Sequence, residues 1–203
     1  MALAVMQESY IEDFSKWANL PSGLEATNIR APYYPSNGLE WVRGLPGSTD
    51  SEVFAILKRV QATGDDFFYQ YVGHTGIHAI NWHNRFGTTG TAIGDEQGRG
   101  KGVGTESKLW LQHHAFNIMG LRKLISRVKA FNAPSIGHLI KCGYAICGRH
   151  RDHDFHNGSY VDEVVLEVHR ENWLPIFKKY QESGELPKLT QEQRELIERE
   201  TKK

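Results

Sequence analysis

Gln97-Gly98-Arg99-Gly100-Lys101-Gly102-Val103-Gly104-Thr105-Glu106 is the stretch on which the reading of this chain turns. Glycines surround two cations, and a helix-type pattern follows at once. Such a loop bares backbone N–H groups at a helix N-terminus, where the dipole favours an anion, and it suits a pyrophosphate. Two common phosphate loops do not fit. A Walker A loop requires Ser or Thr directly after Gly-Lys, whereas Gly102 follows Gly100-Lys101. The dinucleotide fingerprint Gly-x-Gly-x-x-Gly also fails: started at Gly98 it ends on Val103, and started at Gly100 it ends on Thr105.

Downstream of the loop, residues 108–119 read as a helix with Leu111, Ala115 and Ile118 on one face, stopped by Gly120. Residues 121–131 alternate, Leu124, Ser126, Val128 and Ala130 opposing Ile125, Arg127, Lys129 and Phe131, which predicts a strand. Asn132 is a good N-cap, Pro134 sits in the first turn, Ile136, Leu139 and Ile140 form an apolar helix face, and Gly143 closes it. Residues 144–151 predict a strand. Asn157-Gly158 is a hairpin turn, and residues 160–168 return with Tyr160, Asp162, Val164, Leu166 and Val168 on one face.

Upstream, residues 87–93 predict a strand leading into the loop. Residues 67–72 and 77–82 read as two strands joined by a Gly73-His74-Thr75-Gly76 turn. Asp50 or Ser51 caps an expected helix through Val53, Phe54, Leu57 and Val60, closed by Gly64. Residues 20–50, rich in Pro, Gly, Ser and Asn and including Pro32-Tyr33-Tyr34-Pro35, predict irregular structure with short helical turns. Tyr10, Ile11, Phe14, Trp17 and Ala18 have helical spacing. The order of elements predicts an α/β (α+β) domain, a mixed sheet with a helix on each face, over residues 1–172. Residues 173–203 read as a charged helical tail. Trp173, Ile176 and Phe177 give one short helix, and Thr190-Gln191-Glu192-Gln193 caps a last one whose apolar residues are Leu196 and Ile197. That last helix reads as a solvated tail or as a contact for a partner or a second copy, a homodimer.

Bulk properties narrow the class. In 203 residues, 24 Lys and Arg balance 24 Asp and Glu, so no electrostatic footprint for nucleic acid is present. No apolar run reaches membrane-spanning length. Cys142 and Cys147 make no disulfide framework and read as small buried hydrophobes in a reduced, cytoplasmic setting.

The spacing Arg-x-x-Gly-x-Gly at Arg99, Gly102 and Gly104 resembles the coenzyme A loop of the GNAT-type N-acetyltransferases. Residues 76–173 extend the likeness. Ile80-Asn81-Trp82-His83-Asn84-Arg85, Ala92-Ile93-Gly94-Asp95, His114-Ala115-Phe116, Gly120-Leu121-Arg122, Phe131-Asn132-Ala133-Pro134-Ser135-Ile136, Lys141-Cys142-Gly143-Tyr144 and Asn157-Gly158-Ser159-Tyr160-Val161-Asp162 follow in order. Together they resemble the RimJ/RimL-like subfamily, which acetylates ribosomal-protein alanines. The resemblance implies the GNAT fold: a central mixed, mostly antiparallel sheet splayed at the middle, with helices on both faces. The family's first strand, with a Leu-Arg-Pro-like start, is not evident near the N-terminus.

The resemblance further implies direct acetyl transfer from acetyl-CoA to an amine. Backbone N–H groups of Arg99, Gly100, Lys101, Gly102, Val103, Gly104 and Thr105 would hold the pyrophosphate, with charge from Arg99 and Lys101. Backbone near Ala92 and Ile93 would pair with the pantetheine arm, the thioester lying where that strand and the 124–131 strand diverge. Asn132 would bond the cofactor near its sulfur, besides capping its helix. Leu139 stands where many relatives carry a tyrosine acid, and Ser135 matches the subfamily's serine that meets the departing thiolate. Asp154, just before the Asn-Gly hairpin, matches a carboxylate that takes the amine proton. Glu96 and Asp162 are weaker bases, and Asp162 is equally read as a structural partner of a cation. The run His150-Arg151-Asp152-His153-Asp154-Phe155-His156 offers a proton relay through His150 or His153. Strand alternation lets only a subset converge, so no metal is expected. His113-His114 reads as solvent-facing or helix-capping. Three acceptor readings stay open: a protein N-terminus, a small-molecule amine (polyamine, amino acid or antibiotic), or no acceptor at all, the chain being a CoA-binding sensor.

Overall fold

The computed structural model of the chain describes residues 1–26, 32–94 and 99–202. Among the described residues there are seven strands: β1 (Ala2–Val5), β2 (Glu52–Gln61), β3 (Phe67–Asn81), β4 (Phe86–Ile93), β5 (Lys123–Lys129), β6 (Ala145–His156) and β7 (Ser159–His169). Their hydrogen-bonded order is β1-β2-β3-β4-β5-β7-β6. The β4–β5 pair is parallel, and β1–β2, β2–β3, β5–β7 and β6–β7 are antiparallel, so the expected mixed, mostly antiparallel sheet is what forms. The helices are α1 (Ile11–Ala18), α2 (Pro21–Ala26), α3 (Pro35–Gly44), α4 (Val103–His113), α5 (Ala133–Lys141), α6 (Arg170–Ser183) and α7 (Gln191–Thr201). The chain divides into two compact units, Met1–Ile80 with Gly90–Leu111, and Asn81–Thr89 with Gln112–Lys203.

In the first unit the sheet is covered on both faces. Val53, Ala55 and Tyr71 pack with Ile11 and Phe14 of α1 and Val42 of α3. Their strand neighbours Ile56 and Val72 point the other way and pack with Val103 at the start of α4. This corrects the helix expected over residues 53–60, which is β2. A strand buried on both faces carries apolar residues at every position, and Val53, Phe54, Leu57 and Val60 then mimic helical spacing. The expected turn at residues 73–76 lies within continuous β3. A Cβ on Gly73, whose φ is +156°, would stand 2.1 Å from the Ala92 carbonyl oxygen, and one on Gly76 would stand 2.9 Å from that of Glu52. These glycines permit backbone to approach backbone; they do not turn the chain. The β2–β3 turn holds Gly64 instead, at φ +66°, with the Ala62 N–H donating to the Asp66 carbonyl at 2.9 Å. The apolar N-terminus forms β1 on the edge of β2, a first strand that the sequence did not make evident. Within the stretch expected to be irregular with short helical turns, residues 35–44 form α3, with Pro35 at its first position.

In the second unit β5 pairs with β7 along its whole length, from Lys123 to Lys129, and with β4 from Lys123 to Ile125. Leu124, Ser126 and Val128 face the same side as Val164, Leu166 and Val168, and all six are buried. Asn157 and Gly158, at φ +48° and +84°, make the hairpin between β6 and β7 as expected. After α4 the chain makes a π-helical turn, His114–Ile118. The wider turn shifts the angular register, so Leu111 and Ala115 are buried but Ile118 is 68% exposed, against the expected shared face. His113, expected to face solvent or cap a helix end, lies in the last turn of α4 and stacks on Phe177 with ring centroids 5.1 Å apart. In α6, Trp173 and Phe177 are fully enclosed and stack on each other at 4.8 Å. In α7, Ile197 is buried, and its Cδ1 lies 3.3 Å from the Cβ position of Gly137 in α5. The last helix therefore packs on α5, where a solvated helix was one expectation. Cys142 is buried as expected, whereas Cys147 is exposed.

Candidate functional site

The glycine loop belongs to the first unit. Residues 95–98 lie outside the described residues, and with them the candidate base Glu96. From Arg99 on, Gly100 has φ +74° and Gly102 φ +85°, and α4 begins directly at Val103. Positive φ at alternate residues ahead of a helix N-terminus turns successive amides toward a common anion, and only glycine adopts it without strain. Gly100 and Lys101 are exposed, and a Cβ on Gly100 would meet nothing within 4 Å, so the loop is open to a ligand. The first helical bond runs from the Glu106 N–H to the Gly102 carbonyl at 2.9 Å. Val103 and Thr105 are buried and anchor the turn. The Arg99 Nε donates to the Ile93 carbonyl at 3.0 Å, tying the loop to the end of β4. Arg99, Gly100, Lys101, Gly102, Val103, Gly104 and Thr105 are thus brought together with Ile93 and, beside it, Ala92.

The second unit holds Asn132, Ser135 and Asp154. Asn132 caps α5, its Oδ1 accepting the Ser135 backbone N–H at 3.1 Å. Ser135 is half-buried, and its hydroxyl meets no partner among the described residues. Asp154 is half-buried on β6, opposite Val161. Asp162 takes the structural role: it accepts from Arg149 Nε at 2.5 Å and from the Asp152 N–H at 2.9 Å, and the guanidinium holds its carboxyl below the usual range. His150 and His153 both turn toward Glu163.

Two polar features escaped the sequence reading. The Tyr144 hydroxyl is buried and shares hydrogen bonds with Thr89 Oγ1 at 2.8 Å, which in turn meets Ser126 Oγ at 2.6 Å. Burial pushes that phenol's pKa up. In the first unit His74 is half-buried, edge-on to Phe14 and Trp41, with its Nδ1 buried and unpartnered. Burial pushes its pKa down to about 4, and burial followed by the charge of Lys108 lowers that of His78. Neither feature carries a local motif, because the contacting residues are far apart in sequence.

The acetyltransferase (GNAT) domain model matches residues 2–145. No curated protein matches the chain. Among solved structures, the spermidine N-acetyltransferase from Vibrio cholerae in complex with CoA and spermine superposes with a TM-score of 0.72 at 16% identity, covering 85% of this chain and 97% of that one. A probable acetyltransferase gives 0.70 at 17% identity, covering 84% and 93%. A dodecameric form of the Vibrio cholerae enzyme gives 0.65 at 18% identity, covering 85% and 95%. With the family model spanning well over half of its length, the chain belongs to the GNAT acetyltransferase family, whose members move acetyl from acetyl-CoA to an amine nitrogen.

Proposed function

We propose that this protein acetylates a small amine of the polyamine class, using acetyl-CoA. The loop carries the cofactor half of this reading: two glycines at positive φ set directly ahead of α4, with Lys101 exposed beside them. In the proposed reaction the amides of residues 99–104 hold the pyrophosphate, and backbone at Ala92 and Ile93 aligns the pantetheine arm. Asp154 takes the proton of the attacking amine. Asn132 steadies the cofactor near its sulfur while capping α5, and Ser135 meets the departing thiolate with its unpartnered hydroxyl.

The acceptor half draws support from the neighbour solved in complex with CoA and spermine. A protein N-terminus, the acceptor implied by the RimJ/RimL likeness, has no such support. The test is thiol release from acetyl-CoA with a panel of polyamines, amino acids, amino-sugar antibiotics and alanine-ended peptides. Polyamines should give the highest kcat/KM. A faster peptide would replace the acceptor. Tight acetyl-CoA binding without turnover on any amine would leave a sensor.

A further inference from the structure

We infer that His150, His153 and Glu163 form a site for a divalent transition metal, zinc being the best fit. A regular strand would turn residues 150 and 153 to opposite faces. Here β6 bulges: His150 pairs with Glu163 but Asp154 pairs with Val161, so four residues advance against two. Asp152 takes φ +48°, a conformation that Asp tolerates at modest strain. Asp162 fixes the bulge by accepting the Asp152 N–H, and Arg149 grips Asp162. Arg149 also donates to the Glu200 carbonyl in α7 at 2.8 Å. The device brings the two imidazoles onto one carboxylate.

The ligand atoms lie within 4.8 Å of one another. His150 Nδ1 stands 3.0 Å and His153 Nε2 3.7 Å from the same oxygen, Glu163 Oε2. Ligands about 2.1 Å from a tetrahedral ion sit roughly 3.4 Å apart, between the two distances to the carboxylate oxygen. The rings are 47% and 44% exposed, while the carboxylate is 9% exposed. Coordination through Nδ1 places the His150 ring proton on Nε2, and the ion takes over the oxygen that Nδ1 now meets. Lys129 stands opposite Glu163 in the β5–β7 register. Two imidazoles and one carboxylate select zinc over magnesium or calcium, and the exposed side leaves room for water as fourth ligand. Strand alternation does not hold across this bulge.

The experiment uses chelator-stripped, tag-free full-length protein titrated with Zn2+ by calorimetry, and with Co2+ followed by its d–d absorption. The wild type should bind a single equivalent of either ion. His153→Ala and Glu163→Gln should each weaken that binding by at least about tenfold and erase the Co2+ spectrum, since even outer partners of metal ligands are worth about that much. His153 is a surface side chain, so its removal leaves the fold intact, as circular dichroism would confirm. No uptake by the wild type, or uptake and spectrum unchanged in His153→Ala, would overturn the assignment.

Discussion

Replacing His74 with Phe should remove a defined part of the acid sensitivity of this protein. The wild-type ring is half-buried with its Nδ1 out of reach of water, and burial pushes its pKa down to about 4. In the unfolded chain it returns to the ordinary value of about 6.5. Below that value the unfolded state binds a proton that the folded state refuses, so the contribution is intact above about pH 6.5 and drains away as pH falls toward 4. Between pH 7 and pH 5 those two values give a loss of about 2 kcal/mol, close to a thirtyfold shift in the folding equilibrium. Phe suits the slot, since the neighbours at 5.1 and 5.3 Å are the rings of Phe14 and Trp41, and it also removes the unpartnered Nδ1. Urea unfolding of both proteins at the two pH values isolates the effect, because His78 and the carboxylates titrate in both. The stability difference, variant minus wild type, should grow by about 2 kcal/mol from pH 7 to pH 5. A difference that stays constant would refute the reasoning.

Trp173→Ala removes a fully enclosed ring stacked on Phe177 and tilted against Phe116, and should cost about 3–5 kcal/mol in chemical denaturation; a loss below about 1 kcal/mol would mean that α6 is not part of the core. Thr89→Val leaves the buried Tyr144 and Ser126 hydroxyls short of a partner and should cost about 1–3 kcal/mol, with Thr89→Ser recovering most of it. Ser135→Ala should lower kcat with little change in the KM for acetyl-CoA, because the hydroxyl is proposed to act on the departing thiolate while the Asn132 cap bonds to backbone; an unchanged kcat would remove Ser135 from the chemistry.

The segment from β5 to β7 was legible because its signals are local. Alternation marks β5, Asn132 caps α5 through its own side chain, and Asn157-Gly158 supplies the two positive φ angles of the turn. Where the deciding contact is distant, the sequence misled. β2 is paired on both edges and buried on both faces, so its polar alternation vanished. Gly73 and Gly76 looked like a turn because nothing near them in sequence reveals the carbonyls of Ala92 and Glu52. The π-turn moved Ile118 outward without any residue that announces it. The positive φ of Gly100 and Gly102 ahead of α4 follows from glycine chemistry alone. The convergence of His150 and His153 was not legible, since it depends on a bulge anchored by Asp162, ten residues after Asp152.

Calorimetric titration with acetyl-CoA, and in parallel with a pantetheine thioester that lacks the diphosphate, tests the core of this account most directly. The titration is run on the wild type and on Gly102→Val, which forces a β-branched residue into φ +85°. Acetyl-CoA should bind the wild type, the truncated thioester should bind far more weakly, and the substitution should cost acetyl-CoA roughly tenfold or more in affinity. Equal affinity of the two ligands, or of the two proteins, would contradict a diphosphate held by the amides of residues 99–104.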